Sequence, residues 1–227
     1  MKTTLHFACV SLAQVLEELH YLFADQAVNY LVSEHGFETT VTLTATDVTP
    51  FKQRLITALA DYYYAADTNE NLPTYAVHQL IAHHQTLTAA ESLTAGEFQS
   101  TVATVSGASA VFPGGFVTYA EAVKGQMLHI PLAQLQHDGV VSEPTALAMA
   151  YQSRTLLATD FGLGFTGVAG PTTLENQPVG TVWIGLSQRH QGTHAYLYHF
   201  DGDRQAVRTQ SVLMGFLLLV HAMDISK

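Results

Sequence analysis

The sequence predicts an α/β protein, a three-layer sandwich on a mixed sheet preceded by a small α+β domain. Three observations carry this. Beyond about residue 70, short apolar runs alternate with helical segments, the pattern of helices laid over a sheet. The last two strand-like runs follow one another closely, which makes that pair antiparallel and the sheet mixed. The stretch Ala66–Pro73 is polar, with Asp67, Asn69, Glu70 and Asn71, and reads as a linker after a first segment with its own pattern. The expected domains are therefore 1–70 and 71–227.

In the first segment, Leu12, Val15, Leu16, Leu19 and Leu22 gather on one face of a helix over Ser11–Ala24. Val28–Ser33 and Thr39–Thr46 alternate as strands, with His35-Gly36 as a hairpin turn. Thr49-Pro50 opens a second helix, to which Leu55, Ile56, Leu59 and Tyr62 to Tyr64 supply apolar contacts. Beyond the linker, helices are expected over Tyr75–His84, Thr94–Val105, Glu121–Leu128, Pro144–Thr159 and Arg204–Ala222. Strands are expected over Thr86–Glu91, Gly115–Tyr119, Phe161–Val168, Gly180–Leu186 and His194–Phe200.

Composition narrows the function classes. A chain of 227 residues that is 48% hydrophobic can bury a substantial core, and 12% charged residues argues against long disordered tails. A net charge of -10 disfavours nucleic acids and anionic membranes as partners. The single cysteine, Cys9, excludes an internal disulfide and fits a reducing, cytoplasmic setting. Leu5–Ala13 faintly resembles a signal peptide, but His6 and Ser11 interrupt it and Glu17-Glu18 follow, so no leader is expected. Val212–Val220 is too short to span a bilayer and reads as a buried part of the last helix.

The stretch Thr86-Leu-Thr-Ala-Ala-Glu-Ser-Leu-Thr-Ala-Gly96 is the most informative. An apolar run stops at Glu91-Ser92 and a helix-start signal follows, which puts Ser92 at a strand-to-helix turn. A serine there is a nucleophile, a phosphate ligand or only a helix cap, and local reading favours the cap. Gly162-Leu-Gly-Phe-Thr-Gly167 matches a dinucleotide fingerprint by letter, but its glycines lie within a strand, so close packing is the expectation. The small residues of Thr166-Gly-Val-Ala-Gly-Pro171 end that strand where ligands of open α/β sheets gather. Gly114-Gly115 leads through Tyr119 into a helix carrying Lys124 in its first turns, where the dipole disfavours a cation. Read alone, Lys124 is expected at the solvated surface. Arg204 and Arg208 share a helix face, as surface cations or as a phosphate clamp. The twelve histidines show no ligand spacing, so neither a metal nor another cofactor is expected.

Taken in order, AESLTAG (90–96), VSGASAVFPGGFVTYAEAVK (105–124), GVVSEPTALAMA (139–150), TGVAGP (166–171), PVGTVWIGL (178–186) and GDRQAVR (202–208) resemble the CinA C-terminal domain family. The family is also known as competence/damage-inducible protein CinA, or nicotinamide-nucleotide amidohydrolase. The resemblance covers about residues 75–222. It implies hydrolysis of the carboxamide of nicotinamide mononucleotide to nicotinate mononucleotide and ammonia, in pyridine nucleotide recycling. The N-terminal segment is similar to the small domain that precedes this module in longer members, and the larger molybdopterin-binding-like domain has no counterpart here. Self-association is common in the family, so a homo-oligomer is expected.

Carried over residue by residue, Ser92 matches the family's nucleophile and Lys124 its base, with Tyr119 and Thr166 in the same pocket. Thr94, Gly96, Gly167, Gly170 and Arg204 are the implied substrate-binding residues. The chemistry is coherent, since a lysine whose pKa falls on burial can take the serine proton. Amide N–H groups after Ser92 or around Gly167 can receive the oxyanion. Three departures bear on activity. The family's Cys-Thr-Gly-Gly is Leu93-Thr94-Ala95-Gly96 here, Glu121 replaces a usual asparagine and can pair with Lys124, and Glu175 would repel a phosphate if it faced the pocket. A weakly active or inactive nucleotide-binding or assembly module is the alternative. Direct DNA binding is disfavoured by the net charge.

Overall fold

The computed structural model describes residues 1–223, which divide into two compact units, Met1–Leu72 and Pro73–Ala222. In the first unit the order is β1 (Lys2–Ala8), α1 (Leu12–Phe23), β2 (Asn29–His35), β3 (Glu38–Thr44), α2 (Thr49–Ala58) and β4 (Tyr63–Ala66). The strands form an antiparallel sheet in the order β2-β3-β1-β4. Ser11 caps α1 in a reciprocal box with Gln14, and Pro50 occupies the first turn of α2. Leu5, Phe7, Val41 and Leu43 of the sheet pack with Val15, Leu19 and Leu55 of the helices into a fully buried core.

Two elements of this unit differ from the sequence pattern. Residues 5–8 of the run 5–13 belong to the central strand β1, inserted between β3 and β4. Its residues are buried on both faces, so it lacks the polar alternation that marks a half-buried strand. Tyr62 to Tyr64 do not extend a helix; the strand β4 begins at Tyr63, in keeping with the preference of aromatic residues for sheets.

The second unit runs α3 (Leu72–Ala82), β5 (Leu87–Glu91), α4 (Glu97–Ala103), β6 (Phe116–Val117), α5 (Glu121–Leu128), α6 (Leu132–Asp138) and α7 (Glu143–Leu157), then β7 (Phe161–Gly167), β8 (Thr181–Gln188), β9 (Gly192–His199) and α8 (Arg204–Ala222). Its sheet has the order β6-β5-β7-β8-β9. The pairs β5–β6 and β5–β7 are parallel, and β7–β8 and β8–β9 are antiparallel, so the sheet is mixed. The short helix α6 is an addition to the elements expected from the sequence.

Alternate residues of β7 explain the three layers. Gly162 and Gly164 face α7 so closely that a Cβ on either would lie 2.5 Å from the Ala150 carbonyl or 2.7 Å from that of Ala146. The glycines of the fingerprint-like run are thus packing residues. On the opposite face Phe165 meets Phe98 at 5.1 Å, and Phe98 stacks on Phe216 at 4.4 Å, which fixes α4 and α8 over the sheet. No helix among the described residues is long and apolar enough to cross a membrane.

Candidate active site

The parallel strands β5 and β7 end side by side, and the chain leaves both at the same edge. Ser92 follows the last residue of β5, and its backbone N–H donates to the Phe165 carbonyl of β7 at 2.9 Å. The turn 92–96 that follows is not part of a helix, and α4 begins only at Glu97. The cause is Gly96, whose φ of 92° ends the turn in the left-handed region.

Ser92 is not the cap of α4. That role falls to Glu91, whose wholly buried carboxylate accepts the N–H groups of Gly96 at 2.8 Å, Phe98 at 3.2 Å and Gln99 at 2.9 Å. A negative charge there also meets the positive end of the helix. The Ser92 hydroxyl is left to Lys124, whose Nζ donates to Oγ at 3.0 Å.

Lys124 is 1% exposed, not at the solvated surface. It lies one turn into α5, and its stem crosses the core to bring Nζ to the Thr118 carbonyl at 2.9 Å and the Tyr119 carbonyl at 3.4 Å. Burial pushes its pKa down to about 8, against the opposing charges of Glu121 and Glu175. Glu121 does not pair with Lys124 among the described residues, for all three Nζ contacts go to Ser92, Thr118 and Tyr119. Glu121 instead sits in the first turn of α5, where the helix dipole favours a carboxylate.

A pocket of about 390 Å³ opens at this point, lined by Ser92, Leu93, Tyr119, Glu121, Lys124, Thr166, Gly167, Gly170 and Arg204, with Thr172 to Leu174 along one wall. That volume falls in the range of small-molecule sites. The Thr166 hydroxyl donates to the Val140 carbonyl. Arg204 bridges the rim, donating to the Gly170 carbonyl at 2.7 Å and to the Tyr119 hydroxyl at 2.9 Å. Thr94 and Gly96 are not among the lining residues: Thr94 is wholly buried, and Gly96 gives its N–H to Glu91.

Glu175 does not line the pocket. It stands in a tight turn with Asn176, at φ values of 51° and 61°, and its carboxylate accepts the N–H groups of Val140 and Val141, both at 3.0 Å. Glu91 is not among the residues that the motifs single out. A lone carboxylate at the end of an apolar strand, five residues before a helix-start glycine, is the signal that marks it.

Two amides of the turn are free. Among the described residues, the N–H groups of Leu93 and Thr94 have no hydrogen-bond partner, while those of Ser92, Ala95, Gly96 and Glu97 are all engaged. The site therefore combines a serine hydroxyl, a buried amine in contact with it and unpaired donors beside it, groups of the kind that acyl transfer uses.

A model of the CinA C-terminal domain matches residues 69–223. A competence-damage inducible protein of Lactiplantibacillus plantarum is 53% identical over 163 residues, covering 72% of this chain and 39% of that protein. One of Levilactobacillus brevis is 46% identical over 222 residues, covering 93% of this chain and 53% of its own length. The chain thus spans about half the length, or less, of these curated relatives. Among solved structures, a CinA superfamily protein of Klebsiella pneumoniae superposes with a TM-score of 0.66 at 30% identity, over 68% of this chain and 99% of that one. Another from Escherichia coli gives 0.64 at 30% identity, over 68% and 91%.

Proposed function

The chain belongs to the CinA C-terminal domain family, and on that footing we propose that it hydrolyses the carboxamide of nicotinamide mononucleotide, with Ser92 as nucleophile and Lys124 as its base. The observation that carries this is the 3.0 Å contact between Nζ and Oγ, made by a lysine held at a pKa of about 8. At pH 7 such an amine is neutral in about one molecule in ten, some 300-fold more than an ordinary lysine. A neutral Nζ offers its lone pair to the serine proton.

The reaction balances on these groups. Ser92 Oγ bonds to the carboxamide carbon as its proton passes to Nζ, and the carbonyl electron pair moves to oxygen. The free Leu93 amide of the turn, which lines the pocket, receives that oxyanion. Collapse breaks the C–N bond, and the ammonium of Lys124 returns its proton to the departing ammonia. Water then attacks the acyl ester, giving its proton to Lys124, and the serine leaves protonated. Arg204, on the rim beside Tyr119, receives the phosphate through charge-assisted hydrogen bonds. A nucleotide substrate of this kind places the work in the cytoplasm.

The test is ammonia release from nicotinamide mononucleotide by the wild type and by Ser92→Ala. No release by the wild type, or equal release by both, overturns the proposal. The second reading, a binding module without turnover, draws on Glu121 and Glu175, whose charges favour the protonated amine. Heat on mixing with the nucleotide but no ammonia would support it.

A further inference from the structure

The two arginines of α8 that share a helix face have different tasks. Arg204 reaches the pocket, but Arg208 does not line it. Its guanidinium lies behind the nucleophile turn, where Nε donates to the Leu93 carbonyl at 3.1 Å and Nη2 to the Thr94 carbonyl at 2.8 Å. Glu97 holds the same Nη2 at 3.0 Å, and the Gln205 side chain accepts from Nη1 at 3.1 Å. Each donor group of this planar fork is engaged, and the side chain is only 22% exposed.

The peptide plane turns these contacts into a statement about the site. In a trans peptide the C=O and the following N–H point in opposite directions. With the Leu93 carbonyl held by Arg208, the Thr94 N–H is aimed away from the guanidinium. The Ser92 carbonyl accepts the Ala95 N–H at 3.1 Å, which in the same way turns the Leu93 N–H outward from the turn. Those are the two amides left without partners.

We propose that Arg208 is a positioning residue that fixes the oxyanion hole from behind, by locking the carbonyls of Leu93 and Thr94 and so holding the turn 92–96 in the form that leaves the Leu93 N–H free at the pocket. This rests on the Ser92 nucleophile of the proposed function. Without the guanidinium the Leu93 carbonyl loses its partner and the turn is free to rearrange, which would turn the Leu93 N–H away from the pocket. Removing one such donor from a preformed hole costs about 10² to 10³ in rate. Arg208 touches no substrate, so the loss belongs to kcat.

The experiment compares wild type, Arg208→Met and Arg208→Lys by two readouts. The first is steady-state deamidation of nicotinamide mononucleotide. The second is labelling of Ser92 by an alkyl fluorophosphonate, followed by intact mass; Oγ bonds to phosphorus, fluoride leaves and Lys124 takes the proton. Fluorescence of the sole tryptophan, Trp183 in β8, checks folding. Arg208→Met is expected to lower kcat at least 30-fold with KM within about threefold, and to slow labelling by a similar factor, with Arg208→Lys intermediate because one donor remains. Labelling of a folded Arg208→Met at the wild-type rate overturns the inference, as does a wild-type serine that never labels. A wild type that labels but leaves the nucleotide intact sinks the substrate assignment alone, and the labelling ratio still decides the role of Arg208.

Discussion

Lys124 makes a prediction about stability that needs no substrate. Its pKa is about 8 in the folded protein, depressed from an ordinary value of 10.5 by burial. Below pH 8 the amine is protonated in both folded and unfolded states, and the native state bears the full burden of the buried charge. Between 8 and 10.5 the unfolded chain binds the extra proton, so stability rises with pH; above that range the burden is gone. The difference corresponds to about 3 kcal/mol at pH 7 and to a little over 1 kcal/mol at pH 9.5. The native state should therefore gain about 2 kcal/mol across that interval from this one side chain.

Lys124→Met removes the titration while keeping the stem. It also removes hydrogen bonds to Ser92 and Thr118, but that offset does not vary with pH. The assay is urea unfolding of both proteins from pH 7 to 9.5, followed by Trp183, which reports on the unit that holds the site. The two stability curves should converge by about 2 kcal/mol in favour of wild type as pH rises. Curves that run parallel within about 0.5 kcal/mol would show that Lys124 titrates as an ordinary surface amine, and the argument for it as a base would fall.

The same depressed pKa predicts that kcat/KM for deamidation rises about tenfold per pH unit and levels off above 8, since the neutral amine is the active form. Glu121→Gln removes a charge that favours the ammonium and should shift this limb to lower pH; a pH–rate profile that stays in place contradicts the assignment. Glu91→Gln should destabilise the second unit by at least about 2 kcal/mol, since an amide cannot serve three N–H donors as a carboxylate does. Urea midpoints followed by Trp183 would measure it. Ala95 stands at a φ of 50°, where a Cβ costs about 1 kcal/mol, so Ala95→Gly should be neutral to mildly stabilising in the same assay despite the greater freedom of glycine in the unfolded chain.

Much of the second unit was legible from apolar runs separated by turn residues: Glu121–Leu128 and Arg204–Ala222 have the bounds expected from the sequence. What the sequence hid is what depends on contacts between distant segments. β1 did not show its strand character because a central strand buries both faces, and α4 starts three residues after Thr94 because Glu91 and Gly96 set its cap. The burial of Lys124 was not readable from its place in a helix either. Only the fold, which carries its stem across to the end of β5, reveals it. The family blocks brought Ser92, Tyr119, Lys124, Thr166 and Arg204 to one pocket, whereas the task of Arg208 appears only once α8 is laid behind the turn.

The departures from the family motif take on a different weight in three dimensions. What the turn supplies at Leu93 is its backbone: a carbonyl held by Arg208 and a free N–H, neither of which depends on the side chain. Glu121 and Glu175 oppose the burial of Lys124 without contacting it, one set at a helix N-terminus and the other engaged with the Val140 and Val141 amides. Burial is the larger influence, and the balance leaves the amine near pH 8. A base held much higher would be almost wholly protonated at neutral pH, and one held much lower would be too weak to draw the serine proton. The two carboxylates that looked like defects in the sequence thus keep the pKa of the amine from falling further.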